Sequence, residues 1–133
     1  MKIEWKPEYN MGFEVIDKQH QTFVATLNSL YEAIVEGKER EHLSEIFNNL
    51  DQYITLHFKT EEDYFEEFGY EGKEEHIAEH RKFQTKIAEF KNSFERGESE
   101  ISSILIDFLE NWLIHHLASI DVKYVPCFKS HGL

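Results

Sequence analysis

Helix breakers are scarce in this chain. Its 133 residues include only six Gly and two Pro, and because these two types punctuate most turns, their scarcity predicts long helices. Gly37, the Gly69 and Gly72 pair, and Gly97 divide the sequence into four segments of similar length, each the size of a bundle helix. Apolar residues recur in each at the three-and-four spacing of one buried stripe. A first helix, with Asp17 as its N-cap, carries Phe23, Leu27, Leu30, Tyr31 and Ile34 and stops near Gly37. A second, from about Arg40 to Phe68, carries Leu43, Ile46, Phe47, Leu50, Ile54, Phe58, Phe65 and Phe68. A third, Lys73 to Arg96, presents Phe83, Ile87, Phe90 and Phe94, and a fourth, capped by Ser99, presents Ile101, Leu105, Phe108 and Trp112. The expected architecture is all-α, an up-down-up-down antiparallel four-helix bundle over residues 17–133 within a single domain. Residues 1–16, with Pro7, Gly12 and no helical period, are expected to form an N-terminal arm whose Trp5, Met11 and Phe13 cover one end of the bundle. Past Val122 the regular pattern fades into a tail from which Tyr124 and Phe128 still pack.

Composition closes off several function classes. Twenty-six acidic against 14 basic residues give a formal charge of -12, and the Lys and Arg residues never gather into a block, which argues against nucleic acid and against an anionic membrane surface. The single cysteine, Cys127, leaves no internal disulfide and no multi-cysteine zinc or iron–sulfur site. Met1 to Pro7 contain no apolar run of signal-peptide type, and later apolar runs are broken by charge or histidine within a few residues. A soluble cytoplasmic protein is expected. The unusual count is histidine, of which there are eight.

Extending the apolar stripes shows where those histidines fall. In the second helix the stripe through Leu50 and Ile54 continues to His57 and Glu61, one turn apart. In the third it continues backward from Phe83 to His80 and His76; in the fourth it reaches His116, and in the first His20 precedes Phe23. An antiparallel bundle brings all of these to one level at one end. A lone inward histidine is usually a hydrogen-bonded core residue, and either four-residue pair alone is weak evidence. Five converging imidazoles and a carboxylate without a partner would severely weaken a bundle, since an unpaired buried polar group costs roughly 1–3 kcal/mol. A metal ligand set removes that difficulty. Imidazole suits Fe, Zn, Cu and Ni and a carboxylate can bridge two cations, so the set favours a transition-metal pair over Ca or Mg without selecting iron. His42, His115 and His131 lack this support and are read as surface residues, the acidic runs around Glu61 and Glu71 as mostly solvated faces, and Cys127 as incidental.

The segments Ile16-Asp17-Lys18-Gln19-His20, His57-Phe58-Lys59-Thr60-Glu61-Glu62, His76-Ile77-Ala78-Glu79-His80 and Trp112-Leu113-Ile114-His115-His116, followed by Asp121, occur in that order. Across nearly the whole chain they resemble the helix signatures of the hemerythrin family, in particular its single-domain bacterial members. The resemblance implies a non-haem di-iron centre, two Fe ions with an oxo or hydroxo bridge, held by His76, His80 and His116 on one side, by His20 and His57 on the other, and by Glu61 and Asp121 between. Asp121 enters only through the resemblance. It lies five residues beyond His116, about 140° round an ideal helix, so its side chain must reach round or the helix must distort. The implied activity is reversible dioxygen binding at the two-histidine iron, in a carrier, store or sensing module that is not an enzyme.

Phe23, Phe58, Trp112 and Leu113 are the candidates for the apolar wall of the oxygen pocket; ordinary core packing accounts for the same residues equally well. The alternative is a di-iron redox enzyme, an oxidase, peroxidase or nitric-oxide-handling protein using the same site. Ferritin-like oxidases carry two inward Glu-x-x-His motifs, whereas here only Glu39 to His42 fits, away from the ligand level. A third reading is a structural or interaction module that holds zinc or stores iron. No sequence feature identifies a protein partner.

Overall fold

The computed structural model describes residues 4–98 and 100–133. Helix α1 spans Glu14–Val35, and α2, Glu39–Tyr53, passes without a break through a π turn at Ile54–Phe58 into α3, Lys59–Phe68. Helix α4 spans Lys73–Glu95, and α5, Ile101–Trp112, runs on through a second π turn at Leu113–Leu117. A 3-10 turn, Asp121–Tyr124, and a short α6, Val125–Ser130, complete the chain. No strand occurs among the described residues. With α2 and α3 taken as one rod, four rods pack in a ring in which each meets its sequence neighbours and α1 meets α5. This is the four-helix bundle that the periodicity predicts. No helix among the described residues is long and apolar enough to cross a membrane.

The helix ends follow from local chemistry. Gly37 takes a left-handed φ of 70° after α1, which lets its own N–H reach the Ile34 carbonyl at 3.1 Å and the Lys38 N–H reach Ala33 at 2.8 Å. This pair of bonds satisfies carbonyls that a helix end leaves bare. Asp17 does not cap α1. The helix begins three residues earlier, after the extended Phe13, so residues 14–16 form its first turn rather than the end of an arm. The Asp17 carboxylate faces backward and accepts the Met11 N–H at 2.6 Å and the Gly12 N–H at 3.2 Å. It is a clasp on the arm. Ser99, expected to cap the fourth helix, lies outside the described residues.

Two apolar clusters fill the bundle. The larger includes Phe23, Leu27, Leu30, Leu43, Phe47, Leu50, Leu105 and Leu109. Tyr31, Ile34, Phe90, Phe94 and Phe108 are only half-buried at its margin, with Trp5 from the arm. The smaller joins Met11 and Phe13 of the arm to Ile16, Phe65, Tyr124 and Phe128. The expected irregular tail is therefore helical, because Tyr124 and Phe128 are fully buried and a 3-10 turn running into α6 carries both to that end of the bundle.

Replacing Asp17 by Ala is expected to lower stability by about 1–2 kcal/mol, since two N–H groups lose a charged acceptor at a half-exposed position. Thermal denaturation measures the loss, and faster hydrogen exchange at the Met11 and Gly12 amides locates it.

Candidate metal centre

The space between the two apolar clusters is occupied by polar groups. His20 comes from α1, His57 from the first π turn, Glu61 from α3, His76 and His80 from α4, His116 from the second π turn and Asp121 from the following 3-10 turn. None is more than 2% exposed. The π turns matter here because a wide turn lets a histidine and the apolar residue after it both face inward. His57 with Phe58 and His116 with Leu117 are such pairs, all buried. Beyond the second π turn the chain tightens into the 3-10 turn, and this distortion carries Asp121 round to the cluster.

The donor atoms form two groups, each within 4.8 Å: Glu61 with His76, His80 and His116, and Glu61 and Asp121 with His20 and His57. All five histidines present Nε2 to the centre. The Asp121 carboxylate is divided between the groups, with Oδ1 at 2.8 Å from His76 and 3.0 Å from His116, and Oδ2 at 3.0 Å from His20 and 3.8 Å from His57. Glu61 Oε1 lies 3.0 Å from His80, 3.3 Å from His57 and 3.6 Å from His76. Several of these approaches lack hydrogen-bond alignment. Both ring nitrogens of His76 and His116, both Asp121 oxygens and Glu61 Oε2 are buried without a hydrogen-bond partner. Donors that converge on a shared point rather than on one another fit metal ions. A set of imidazoles and few carboxylates fits transition metals.

Outer contacts orient the rings. The His80 Nδ1–H donates to Glu62 at 2.8 Å, and Glu62 is clamped in turn by Arg81 at 2.6 Å. The His57 Nδ1–H donates to the Gln19 carbonyl at 2.7 Å, and the Gln19 amide donates to Thr60 at 3.1 Å. The His20 Nδ1–H points to the Tyr9 carbonyl at 3.4 Å. His116, without such a partner, stacks on Trp112 with ring centres 3.8 Å apart and planes 9° from parallel. His80 stacks likewise on Phe58 at 3.8 Å and 5°. Tyr53 stacks on His57 at 5.0 Å and accepts a hydrogen bond from the Trp112 indole at 3.2 Å. Phe65 and Tyr124 close the other side against His76, at 4.9 and 5.8 Å.

These groups perturb one another strongly. Burial works against a charged His76, but the Asp121 and Glu61 carboxylates outweigh it and raise the imidazole to about 9. For His57 burial prevails over the same carboxylates and lowers it, whereas His20, also buried, is raised by Asp121. Burial and the Asp121 charge oppose ionisation of Glu61, yet His57, His76 and His80 hold it far below the usual carboxylate range. Asp121 is held low against burial by His116, with His20 and His57. Burial, and then the charges of Glu61 and Asp121, push the Tyr124 hydroxyl well up; it lies near Glu61 without closing an aligned hydrogen bond.

Comparison with known proteins agrees with this geometry. Residues 11–128 match the hemerythrin HHE cation binding domain. The chain belongs to the hemerythrin family. It is 33% identical over 127 residues to the bacteriohemerythrin of Pseudomonas aeruginosa, spanning 96% of this chain and 82% of that one. It is 31% identical to the bacteriohemerythrin of Methylococcus capsulatus, spanning 91% and 90%. A crystal structure of wild-type hemerythrin superposes with a TM-score of 0.85 at 29% identity, covering 96% of this chain and 98% of that one.

In this hemerythrin the seven residues named from the sequence lie together. Of the four pocket candidates, Phe58 and Trp112 stack on histidines of the cluster and Leu113 is buried in the second π turn. Phe23 is fully buried one layer further out, against Tyr53 and Phe83. His42, His115 and His131 are exposed. Sequence reasoning missed Tyr53, Gln19, Glu62 and Tyr124. Tyr53 had a signal, being one turn before His57, whereas Gln19 and Glu62 sit beside ligand candidates and act across to another helix.

Two outcomes test this arrangement. Glu62→Ala is expected to weaken metal binding by about 10–100-fold, read by competition with a chelator, while the far-ultraviolet circular dichroism stays helical. Stripping bound metal with a chelator is expected to lower the thermal midpoint of the parent chain, because like charges and unpaired groups are then left in the core.

Proposed function

We propose that this hemerythrin binds dioxygen reversibly at a pair of iron ions. His76, His80 and His116 would hold one, His20 and His57 would hold the other, and Glu61 and Asp121 would be shared between them. The observation that carries this reading is the division of Asp121, whose two oxygens face histidines of different donor groups. Ferrous ions held there would supply the electrons that reversible dioxygen binding draws on.

The chain's own residues account for containment. The stacked rings of Phe58, Trp112 and Tyr53 fix the planes of His80, His116 and His57. With Leu113 they form a wall that keeps water and a second substrate from the centre. That exclusion separates release of oxygen unchanged from its consumption. Phe23 supports the wall from behind through Tyr53.

The metal-loaded chain is expected to contain two irons, to be colourless when reduced without air, to colour on exposure to air and to bleach when oxygen is withdrawn. Zinc in place of iron, or colour that develops once and cannot be reversed, overturns the proposal. Sustained oxygen or peroxide consumption with a reductant assigns the site to redox turnover instead. Leu113→Ala opens the wall and is expected to speed autoxidation of the oxygenated form several-fold; an unchanged decay of its visible band removes Leu113 from the pocket.

A further inference from the structure

The side chains of the centre are almost sealed, with His76 and His116 at 2% exposure and the other five at 0%. An ion must nevertheless reach them from water. Among the described residues, one cavity borders His57 and another borders His76. The one beside His57 measures 90 Å³ and is walled by the uncharged Gln19, Thr22, Gln52, Tyr53 and Leu56. Nothing there attracts a cation. The one beside His76 measures 290 Å³, and Glu75, Glu79, Tyr70 and Lys123 are in its wall.

Glu75 and Glu79 are one turn apart on α4 and straddle His76. Among the described residues neither is in an ion pair. His76, 2% exposed, has both ring nitrogens without a hydrogen-bond partner and is itself part of the cavity wall. Gly72 helps keep the cavity's shape, because a Cβ there would come within 2.8 Å of the Tyr70 hydroxyl. The cavity therefore runs from two carboxylates outside any ion pair to a buried imidazole whose ring nitrogens have no aligned hydrogen bond.

We propose that Glu75 and Glu79 form a transient cation site through which ferrous ions enter and pass to His76. Carboxylates suit the first step, since a hydrated divalent cation is readily held by one or two of them with its waters retained. Imidazole suits the second, binding ferrous iron more firmly once water is shed. Negative charge at the mouth of a cleft raises the arrival rate of cations by about 10–1000-fold at low ionic strength, and Lys123 at the same rim opposes it. This inference rests on the di-iron reading of the centre.

The test uses the full chain, stripped of metal and mixed without air with ferrous sulfate, the remaining free iron being read by a chromogenic chelator. Glu75→Gln with Glu79→Gln is expected to slow loading about tenfold at low salt without changing the final iron content. Lys123→Gln carries the same test with opposite sign and is expected to speed loading. Glu74→Gln, an exposed carboxylate of the same helix that is absent from the cavity wall, is expected to load at the parent rate. Added salt is expected to narrow all the differences. Loading of the double variant at the parent rate, or equal slowing by Glu74→Gln, overturns the port while leaving the di-iron reading intact. A parent chain that takes up no iron overturns both.

Discussion

Five imidazole nitrogens and two carboxylates aimed at a common position inside an apolar core are the constraint on which this structure depends. Placed there without metal, such groups repel, lose hydration and leave polar atoms unsatisfied. The fold accommodates them by putting them between two apolar clusters rather than within one. The larger cluster holds the helices together along most of their length. The smaller closes the end, using the arm and the last short helix as a plug around Phe65, Tyr124 and Phe128.

The imidazoles are held in two ways. His80, His57 and His20 are oriented by acceptors at Nδ1, whereas of the two that have none, His116 lies flat on Trp112 and His76 is flanked by Phe65 and Tyr124. The two donor groups also differ electrically. The three-histidine group has an anion behind it, Glu62 tied to Arg81, and the two-histidine group has a neutral amide, Gln19. A carboxylate behind an imidazole makes it a stronger donor, so the two donor groups are inequivalent before anything binds.

Most of the bundle and six of the seven clustered residues were legible as periodicity, because a helix places side chains at fixed phase and the chain has few interruptions. Asp121 was not, since the helix stops being regular between it and His116, and only the family resemblance pointed to it. Asp17 was misread for a related reason: an acidic residue in a first turn looks like a cap, and only the path of the arm shows that its oxygens face Met11 and Gly12. Gln19, Glu62 and Tyr124 act through contacts between elements, which spacing along one helix does not encode.

Each π turn accommodates one residue more than an α-helical turn would, and each carries a histidine of the centre. Removing a single residue from either would let the helix relax to its ordinary pitch with the residues beyond it facing as before, but the turn would then present one inward side chain where it now presents two. The Ile54–Phe58 and Leu113–Leu117 segments therefore constrain the gene in length more than in letters. Point changes on the outer face are absorbed, but an in-frame codon deletion there would cost the centre either a histidine or the apolar residue buried beside it.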